Sequence, residues 1–149
     1  MKKLLLLSII IFTSCNAGKT SKSSSDTRTK NVEFVDQYTF LLTESSQDKT
    51  YGYEKSNPIN VGGIKESEGP LNQRRFLEAL YGPNDKKMMY WRNGSCCAFE
   101  TKSGFGGLGM LDIYSLVELG GADTLTLYLN FYDKGDLKIP LGLRAKERK

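Results

Sequence analysis

The sequence contains no histidine. This absence removes Ser-His-Asp and Cys-His nucleophile activation, proton shuttling by imidazole, and every zinc site that uses a histidine ligand. Beyond the N-terminus, no stretch approaches the roughly 20 apolar residues that cross a bilayer. The 149 residues are also far fewer than the roughly 250 of an eight-stranded α/β barrel. Barrel enzymes, multi-span transporters and most hydrolytic or metal chemistry are therefore excluded, and we predict no metal site and no cofactor.

The N-terminus has the pattern of a bacterial secretory signal that ends in a lipid-attachment site. Lys2 and Lys3 precede an apolar core over residues 4–12, which is too short to span a membrane. The segment ends in Phe12-Thr13-Ser14-Cys15, which resembles the lipobox where bacteria acylate a cysteine and cleave before it. We predict a signal peptide over residues 1–14 and a lipid anchor on Cys15. Asn16 favours the outer membrane; the alternative is a plain signal peptide with an incidental cysteine.

The segments 15–30 and 144–149 are polar and basic. A chain of this composition cannot bury a core, so we predict a flexible tether and a basic tail on either side of one domain over residues 31–143. The formal net charge of +4 arises from these ends and from the signal. Because the excess positive charge lies outside the predicted domain, it does not indicate nucleic-acid binding.

The hydrophobic pattern predicts strands followed by one helix and then further strands. The helix is expected over residues 70–81, with Phe76, Leu77, Leu80 and Tyr81 on its core-facing side. Asn93-Gly94 predicts a tight hairpin between two strands, because both residues tolerate the positive φ of a type I′ turn. This order indicates an α+β domain with a mostly antiparallel sheet and the helix packed on one face. The predicted strands are residues 35–43, 51–54, 59–61, 88–92, 95–101, 111–119, 124–132 and an edge strand at 137–143.

The adjacent pair Cys96-Cys97 is the most unusual local feature. In the predicted hairpin, Cys96 lies opposite Trp91 and Cys97 opposite Tyr90, so each sulfur faces an aromatic ring. Three interpretations remain: packed thiols, a disulfide between neighbours, and a redox or ligand role. Acylated Cys15 has no thiol left to pair with either of them.

Two further segments resemble ligand-binding loops only in part. The glycine-rich residues 103–109 lead into a strand, whereas a phosphate-binding loop leads into a helix, so we predict a connection between strands. Asp133 and Asp136 place two carboxylates in a turn, but the other oxygens of a calcium loop are missing. Turn formation explains both aspartates at least as well as weak calcium binding does.

Four basic residues are candidates for binding an anionic group. Arginine suits bidentate contacts with carboxylate or phosphate, and Arg74, Arg75 and Arg92 together with Lys65 could converge on such a group. Alternatively, Arg74 pairs with Glu78, four residues further along the helix.

The strand at 124–132 presents leucines on one face and polar or aromatic residues on the other. Thr126, Tyr128, Asn130 and Tyr132 share this second face, which we predict lies opposite the helix. Such a surface suits recognition, because aromatic residues are enriched at interfaces. Packing within the sheet is the alternative interpretation.

Several short blocks together resemble a group of small lipoproteins from Gram-negative bacteria. The resemblance covers residues 50–145, implies lipidation at Cys15, and implies no established activity or catalytic residue. Some members of the group carry the name 2-dehydro-3-deoxyphosphooctonate aldolase. The blocks are Tyr51-Gly52-Tyr53, Asn57-Pro58-Ile59, Val61-Gly62-Gly63, Gly69-Pro70, Arg74-Arg75-Phe76-Leu77, Gly94-Ser95-Cys96-Cys97, Asp123-Thr124 and Tyr132-Asp133-Lys134-Gly135.

The sequence favours a lipid-anchored binding or accessory module of the cell envelope, with the bilayer and an envelope protein as expected partners. The competing hypothesis is a small envelope enzyme. It would use Cys96, Cys97 or a lysine, or be a relative of the aldolase.

Overall fold

A computed structural model describes residues 26–146 of the chain. The predicted signal peptide, the acylation site Cys15 and the tether up to residue 25 lie outside the described residues. The helix is α1 (Gly69–Glu78). The strands are β1 (Glu33–Asp36), β2 (Thr39–Leu41), β3 (Ile59–Asn60), β4 (Leu80–Tyr81), β5 (Met88–Phe105), β6 (Leu108–Glu118), β7 (Thr124–Asn130) and β8 (Arg144–Ala145).

The central sheet has four strands in the order β3-β7-β6-β5. The pairs β5–β6 and β6–β7 are antiparallel, and the short β3 pairs with β7 in parallel. Two small antiparallel sheets, β1–β2 and β4–β8, flank it. With its single helix, the domain is α+β with a mostly antiparallel sheet, as the sequence predicted.

The core lies between α1 and one face of the sheet. Phe76 and Leu77 of α1 are fully buried, together with Leu116, Leu127 and Leu129 of the sheet. Burial of each such side chain is worth about 1.5–3 kcal/mol, so this layer is the main stabilising contact of the domain. The leucine face predicted for β7 is confirmed.

The helix ends three residues earlier than the periodicity predicted. Pro70 lies in its first turn as expected, but the helix stops at Glu78 and Ala79 forms its C-cap. Leu80 and Tyr81 are extended and pair with β8, because their backbone groups find partners there. This pairing also corrects the predicted basic tail, since Arg144 and Ala145 belong to the domain.

The hairpin predicted at Asn93-Gly94 is wrong. β5 continues through this site as one long strand paired with β6, and the register shifts between Arg92 and Gly94 accommodate a bulge. Gly94 has φ +127°, but Asn93 does not have the positive φ that a type I′ turn requires. The turn lies instead at Gly106-Gly107, whose φ values of 63° and 80° suit it.

The shorter predicted strands have mixed outcomes. Residues 35–43 are not one strand, because β1 ends at Asp36 and β2 covers only Thr39–Leu41. Residues 51–54 form turns. Residues 59–61 are confirmed as β3 and the bridge at Val61, and residues 111–119 lie almost entirely within β6. The edge strand predicted at 137–143 is absent from the described chain, where only Ile139 makes an isolated bridge, to Ser45.

The last residues of the predicted tether are part of the domain. The backbone N–H groups of Thr27 and Arg28 both donate to the Lys134 carbonyl, at 2.7 and 3.1 Å. The guanidinium of Arg28 donates to the carbonyls of Gly135, at 2.8 Å, and Val61, at 3.1 Å. The domain therefore begins before residue 31, because backbone carbonyls at this end of the sheet bind the arginine.

Candidate functional site

A groove of about 500 Å³ lies between the first half of α1 and strands β5 and β6. It contains two of the arginines predicted to bind an anion, Arg74 and Arg92. The residues that line it are Pro70, Gln73, Arg74, Tyr90, Trp91, Arg92, Asp112, Tyr114 and Phe131. Its walls therefore combine aromatic rings with a few polar groups, as in many small-molecule sites.

A buried carboxylate, Asp112, organises the floor of the groove. Asp112 is 4% exposed and accepts hydrogen bonds from Gln73 Nε2 at 2.8 Å, from Arg92 Nη2 at 2.7 Å and from Ser95 Oγ at 2.7 Å. The Tyr114 hydroxyl donates to Gln73 Oε1 at 3.0 Å. Because each amide and carboxylate oxygen in this network has a partner, the side chains are held in fixed positions.

The tyrosines of the groove are neutral donors at physiological pH. Burial raises the pKa of Tyr114, and the negative charge of Asp112 adds to the effect. Burial, together with a hydrogen bond from its hydroxyl to Glu78 Oε1 at 3.0 Å, raises the pKa of Tyr90 to about 12. Neither hydroxyl is therefore suited to act as a general base near pH 7.

The two arginines differ in how they are held. Arg92 is ion-paired with Asp112, and this hydrogen bond raises the pKa of the guanidinium. Arg74 is exposed and, among residues 26–146, has no ion-pair partner. The predicted pair with Glu78 is wrong, because Glu78 pairs with Lys87 at 2.8 Å. Two arginines against one aspartate leave the groove with a net positive charge.

The larger basic cluster predicted from the sequence does not form. Arg75 pairs with Glu68 at 2.7 Å and its guanidinium lies 5.2 Å from the centre of the Phe34 ring. Lys65 pairs with Asp26. Neither side chain lines the groove.

Cys96 and Cys97 form a disulfide with each other. The interpretation as packed thiols opposite Trp91 and Tyr90 is wrong, because β5 does not fold back on itself and Cys96 pairs with Leu111 of β6. The predicted functional thiols are likewise oxidised in this structure. The pair occupies a second bulge of β5, where Cys97 has φ +58°, and both residues are half-buried.

The four residues predicted on the outward face of β7 and its continuation occupy different environments. Thr126 is exposed, opposite Ser115. Tyr128 is half-buried on the face away from α1, opposite Ile113. Asn130 is completely buried and donates to Asn60 Oδ1 and Asp133 Oδ2, so its prediction as a binding residue is wrong. Tyr132 stacks on the ring of Phe131 at 4.4 Å. These residues form no common surface, because β7 ends at Asn130 and the chain turns there.

Gln73 and Asp112, which are 39 residues apart in the chain, were not predicted from the sequence as site residues. Each has a signal in hindsight. Gln73 lies three residues before Phe76 on the apolar stripe of α1, and Asp112 interrupts the apolar run of β6. A polar residue on a core-facing position needs a buried hydrogen-bond partner, and each of these two residues could supply that partner for the other.

Comparison with protein-family models, with curated proteins and with solved structures finds no match for this chain. Within residues 26–146, no helix has the length and hydropathy to cross a membrane. The same residues contain no group of three cysteine or acidic side chains placed to hold a metal ion.

Proposed function

We propose that this protein is a lipid-anchored binding module of the bacterial cell envelope, held in the outer membrane by acylated Cys15. The resemblance to small Gram-negative lipoproteins and the lipobox-like sequence support the anchor. The groove between α1 and strands β5 and β6 supports the binding role, and in this proposal it is the ligand site. An envelope protein is the further partner we expect.

The observation that carries the proposal is the combination of a fixed charge network with an unpaired cation at one groove. Asp112 holds Arg92 at the floor, while Arg74 is exposed and has no ion-pair partner among the described residues. A small organic anion with an apolar ring suits this arrangement. Its carboxylate would contact the guanidinium of Arg74, and its ring would lie against Tyr90 and Phe131.

The same geometry favours binding over catalysis. The two cysteines are joined in a disulfide, so neither supplies a thiolate. A hydrogen bond to Glu78 raises the pKa of Lys87, and one to Glu44 raises that of Lys30; a nucleophilic lysine needs the opposite shift. These features argue against the thiol-dependent version of the enzyme hypothesis, and against Lys30 and Lys87 as the nucleophile of the lysine-dependent version.

The groove is tested by titration with benzoate, an aromatic carboxylate, followed through the fluorescence of Trp91, the single tryptophan. We expect saturable binding that Arg74→Gln weakens by about tenfold or more, since one charged hydrogen bond is worth about 1.5–3 kcal/mol and about 1.4 kcal/mol is tenfold. Arg144→Gln is the matched control, because Arg144 is an exposed arginine paired with Asp85 away from the groove. Equal weakening by both variants, or no saturable binding, contradicts the proposed site.

The anchor is tested separately by fractionating cells and measuring the mass of the peptide that begins at Cys15. We expect acyl chains on Cys15 and the protein in outer-membrane fractions, with Cys15→Ala released into soluble fractions. Recovery of unmodified Cys15, or of the Ala variant in the same membrane fraction, contradicts the anchored state while leaving the groove experiment valid.

A further inference from the structure

The turn between β5 and β6 presents apolar side chains to solvent. We define the hairpin tip as residues 102–110. Phe105 is fully exposed at its apex, and Leu108 and Met110 are 54% and 43% exposed. Three large apolar side chains concentrated at one projecting turn are unusual on a soluble surface, and such a patch marks a contact with a protein or with lipid.

The backbone of the tip is well ordered by hydrogen bonds, so the apolar side chains are presented from a fixed turn. Phe105 is paired with Leu108, and the N–H of Thr101 donates to the Gly107 carbonyl at 3.0 Å. Gly104 packs so closely on β6 that an added Cβ would lie 1.9 Å from the Leu108 carbonyl oxygen. The turn therefore holds the Phe105 side chain fully exposed to solvent.

The tip lies at the end of the sheet where the chain from the N-terminus enters the domain. Thr101 Oγ1 donates to Asp133 Oδ1 at 2.6 Å, and the neighbouring Lys134 carbonyl accepts the N–H of Thr27 at 2.7 Å. Phe105 is four residues beyond Thr101, which is at most about 14 Å along a strand. The apex of the tip is therefore close to the point from which the chain leads back to Cys15.

The length of that connection limits how far the domain can stand from the membrane. Cys15 and Asp26 are separated by eleven chain steps, which span at most about 40 Å when fully extended. If acyl chains on Cys15 lie in the bilayer, Asp26 and the end of the sheet beside it stay within about 40 Å of the lipid surface. A partner on the same surface is then present at high effective concentration.

We propose that the hairpin tip inserts into the interfacial region of the bilayer that anchors Cys15, with Phe105 as the leading side chain. This inference rests on the anchored state proposed above. The charges beside the turn, Glu100 and Lys102, are both exposed and of opposite sign. The contact is therefore apolar, and it does not require anionic lipid.

The experiment measures quenching of tryptophan fluorescence by lipid brominated in the upper part of its acyl chains. The full acylated protein is reconstituted in phosphatidylcholine vesicles after Trp91→Phe has removed the native fluorophore. A single tryptophan is then introduced by Leu108→Trp or by the matched control Leu119→Trp. Leu119 is 53% exposed and lies just beyond the opposite end of β6, about 36 Å from Leu108 along the strand.

We expect quenching of about twofold at position 108 and little at position 119, because an interfacial insertion reaches about 5–10 Å into the boundary of head groups and acyl chains. The same contrast is expected when phosphatidylglycerol replaces part of the phosphatidylcholine. Adding Phe105→Asp to Leu108→Trp should abolish the quenching while circular dichroism and the mass of the acylated peptide stay unchanged.

Absence of quenching at position 108, or equal quenching at both positions, overturns the proposal. A blue shift at position 108 that depends on protein concentration and not on lipid also overturns it, and identifies a second copy of the chain as the partner. Flotation of the vesicles and the mass of Cys15 show whether the anchor itself is present. A tip that does not insert is thereby distinguished from an anchor that is absent, and neither result depends on ligand binding at the groove.

Discussion

The network around Asp112 makes a quantitative prediction about stability. Asp112→Ala removes the acceptor for Gln73, whose side chain is 1% exposed and keeps a buried N–H without a partner. Leaving such a donor unsatisfied costs about 1–3 kcal/mol. The Arg92 side chain is 48% exposed, so it returns to water and adds less than the 3–5 kcal/mol typical of a broken buried pair. We expect Asp112→Ala to lower the free energy of unfolding by about 2–3 kcal/mol.

Asp112→Asn should lower the free energy of unfolding by only about 1 kcal/mol, because the hydrogen bonds between the amides can form in the opposite direction. The new amide N–H₂ would donate to Gln73 Oε1 after the Gln73 amide flips, and Gln73 Nε2 would then donate to the Tyr114 hydroxyl. The assay is urea denaturation monitored by Trp91 fluorescence and by circular dichroism. Asp123→Ala, at an exposed aspartate in the β6–β7 turn, is the control and should change stability by less than about 0.5 kcal/mol.

Two results would refute this reasoning. If Asp112→Ala is no more destabilising than Asp123→Ala, the network does not stabilise the groove. If Asp112→Asn is as costly as Asp112→Ala, the negative charge itself matters, and the hydrogen-bond account of the floor is wrong.

The disulfide closes a loop of only two residues, so reducing it with a dithiol should lower the free energy of unfolding by only about 1 kcal/mol. The measurement is urea denaturation of the reduced protein, after mass spectrometry has confirmed the two added hydrogens. Unfolding on reduction would contradict this. Arg28→Ala should lower the free energy of unfolding by about 1–2 kcal/mol and speed proteolysis before residue 31, because three backbone carbonyls lose their donor. Lys30→Ala is the control, since it removes only an exposed ion pair with Glu44. Equal effects of the two variants would show that Arg28 does not fix this segment. Hydrogen bonds from Thr29 lower the pKa of Asp136 below its ordinary value of 3.8. The folded state is therefore favoured by this carboxylate above pH 3.8 and loses that contribution as pH falls through the lowered pKa. Asp136→Asn should reduce the loss of stability on acidification below pH 3.8; an unchanged pH profile would contradict the assignment.

The parts of the fold that the sequence predicted well depend on local periodicity. The alternation in β7 and the apolar stripe of α1 are repeated within one element, so tertiary contacts do not override these local preferences. The end of α1 was missed because Leu80 has the same spacing whether it continues the helix or pairs with β8. Only a contact with a strand more than 60 residues away decides between them.

The error at Asn93-Gly94 has a similar cause. The dipeptide favours a tight turn, but the pairing of β5 with β6 extends from Met88 to Phe105 and stabilises a bulge there instead. Gly106-Gly107 provides a second turn signal, and a turn there allows the longer ladder. The neighbouring Cys96-Cys97 pair was consequently placed opposite the wrong residues.

The groove could be predicted only in part. Arg74 and Arg92 were recognised by their chemistry, but the residues that hold the floor, Gln73 and Asp112, come together only when α1 packs on β6. Asn130 shows the opposite error, since a polar residue at an outward-facing position of a strand is buried where the chain turns into Asp133. Pattern alone does not report where a strand ends inside the domain.

Photoaffinity labelling with 4-benzoylbenzoate, an aromatic carboxylate that crosslinks on illumination, tests the central claim most directly. Peptide mapping of the labelled protein should place the adducts on the first half of α1 and on β5 around Tyr90 and Arg92. Excess benzoate should suppress them, and Arg74→Gln should reduce them severalfold. Adducts spread over the surface, or concentrated away from the groove and unaffected by Arg74→Gln, would contradict the assignment of this groove as the binding site.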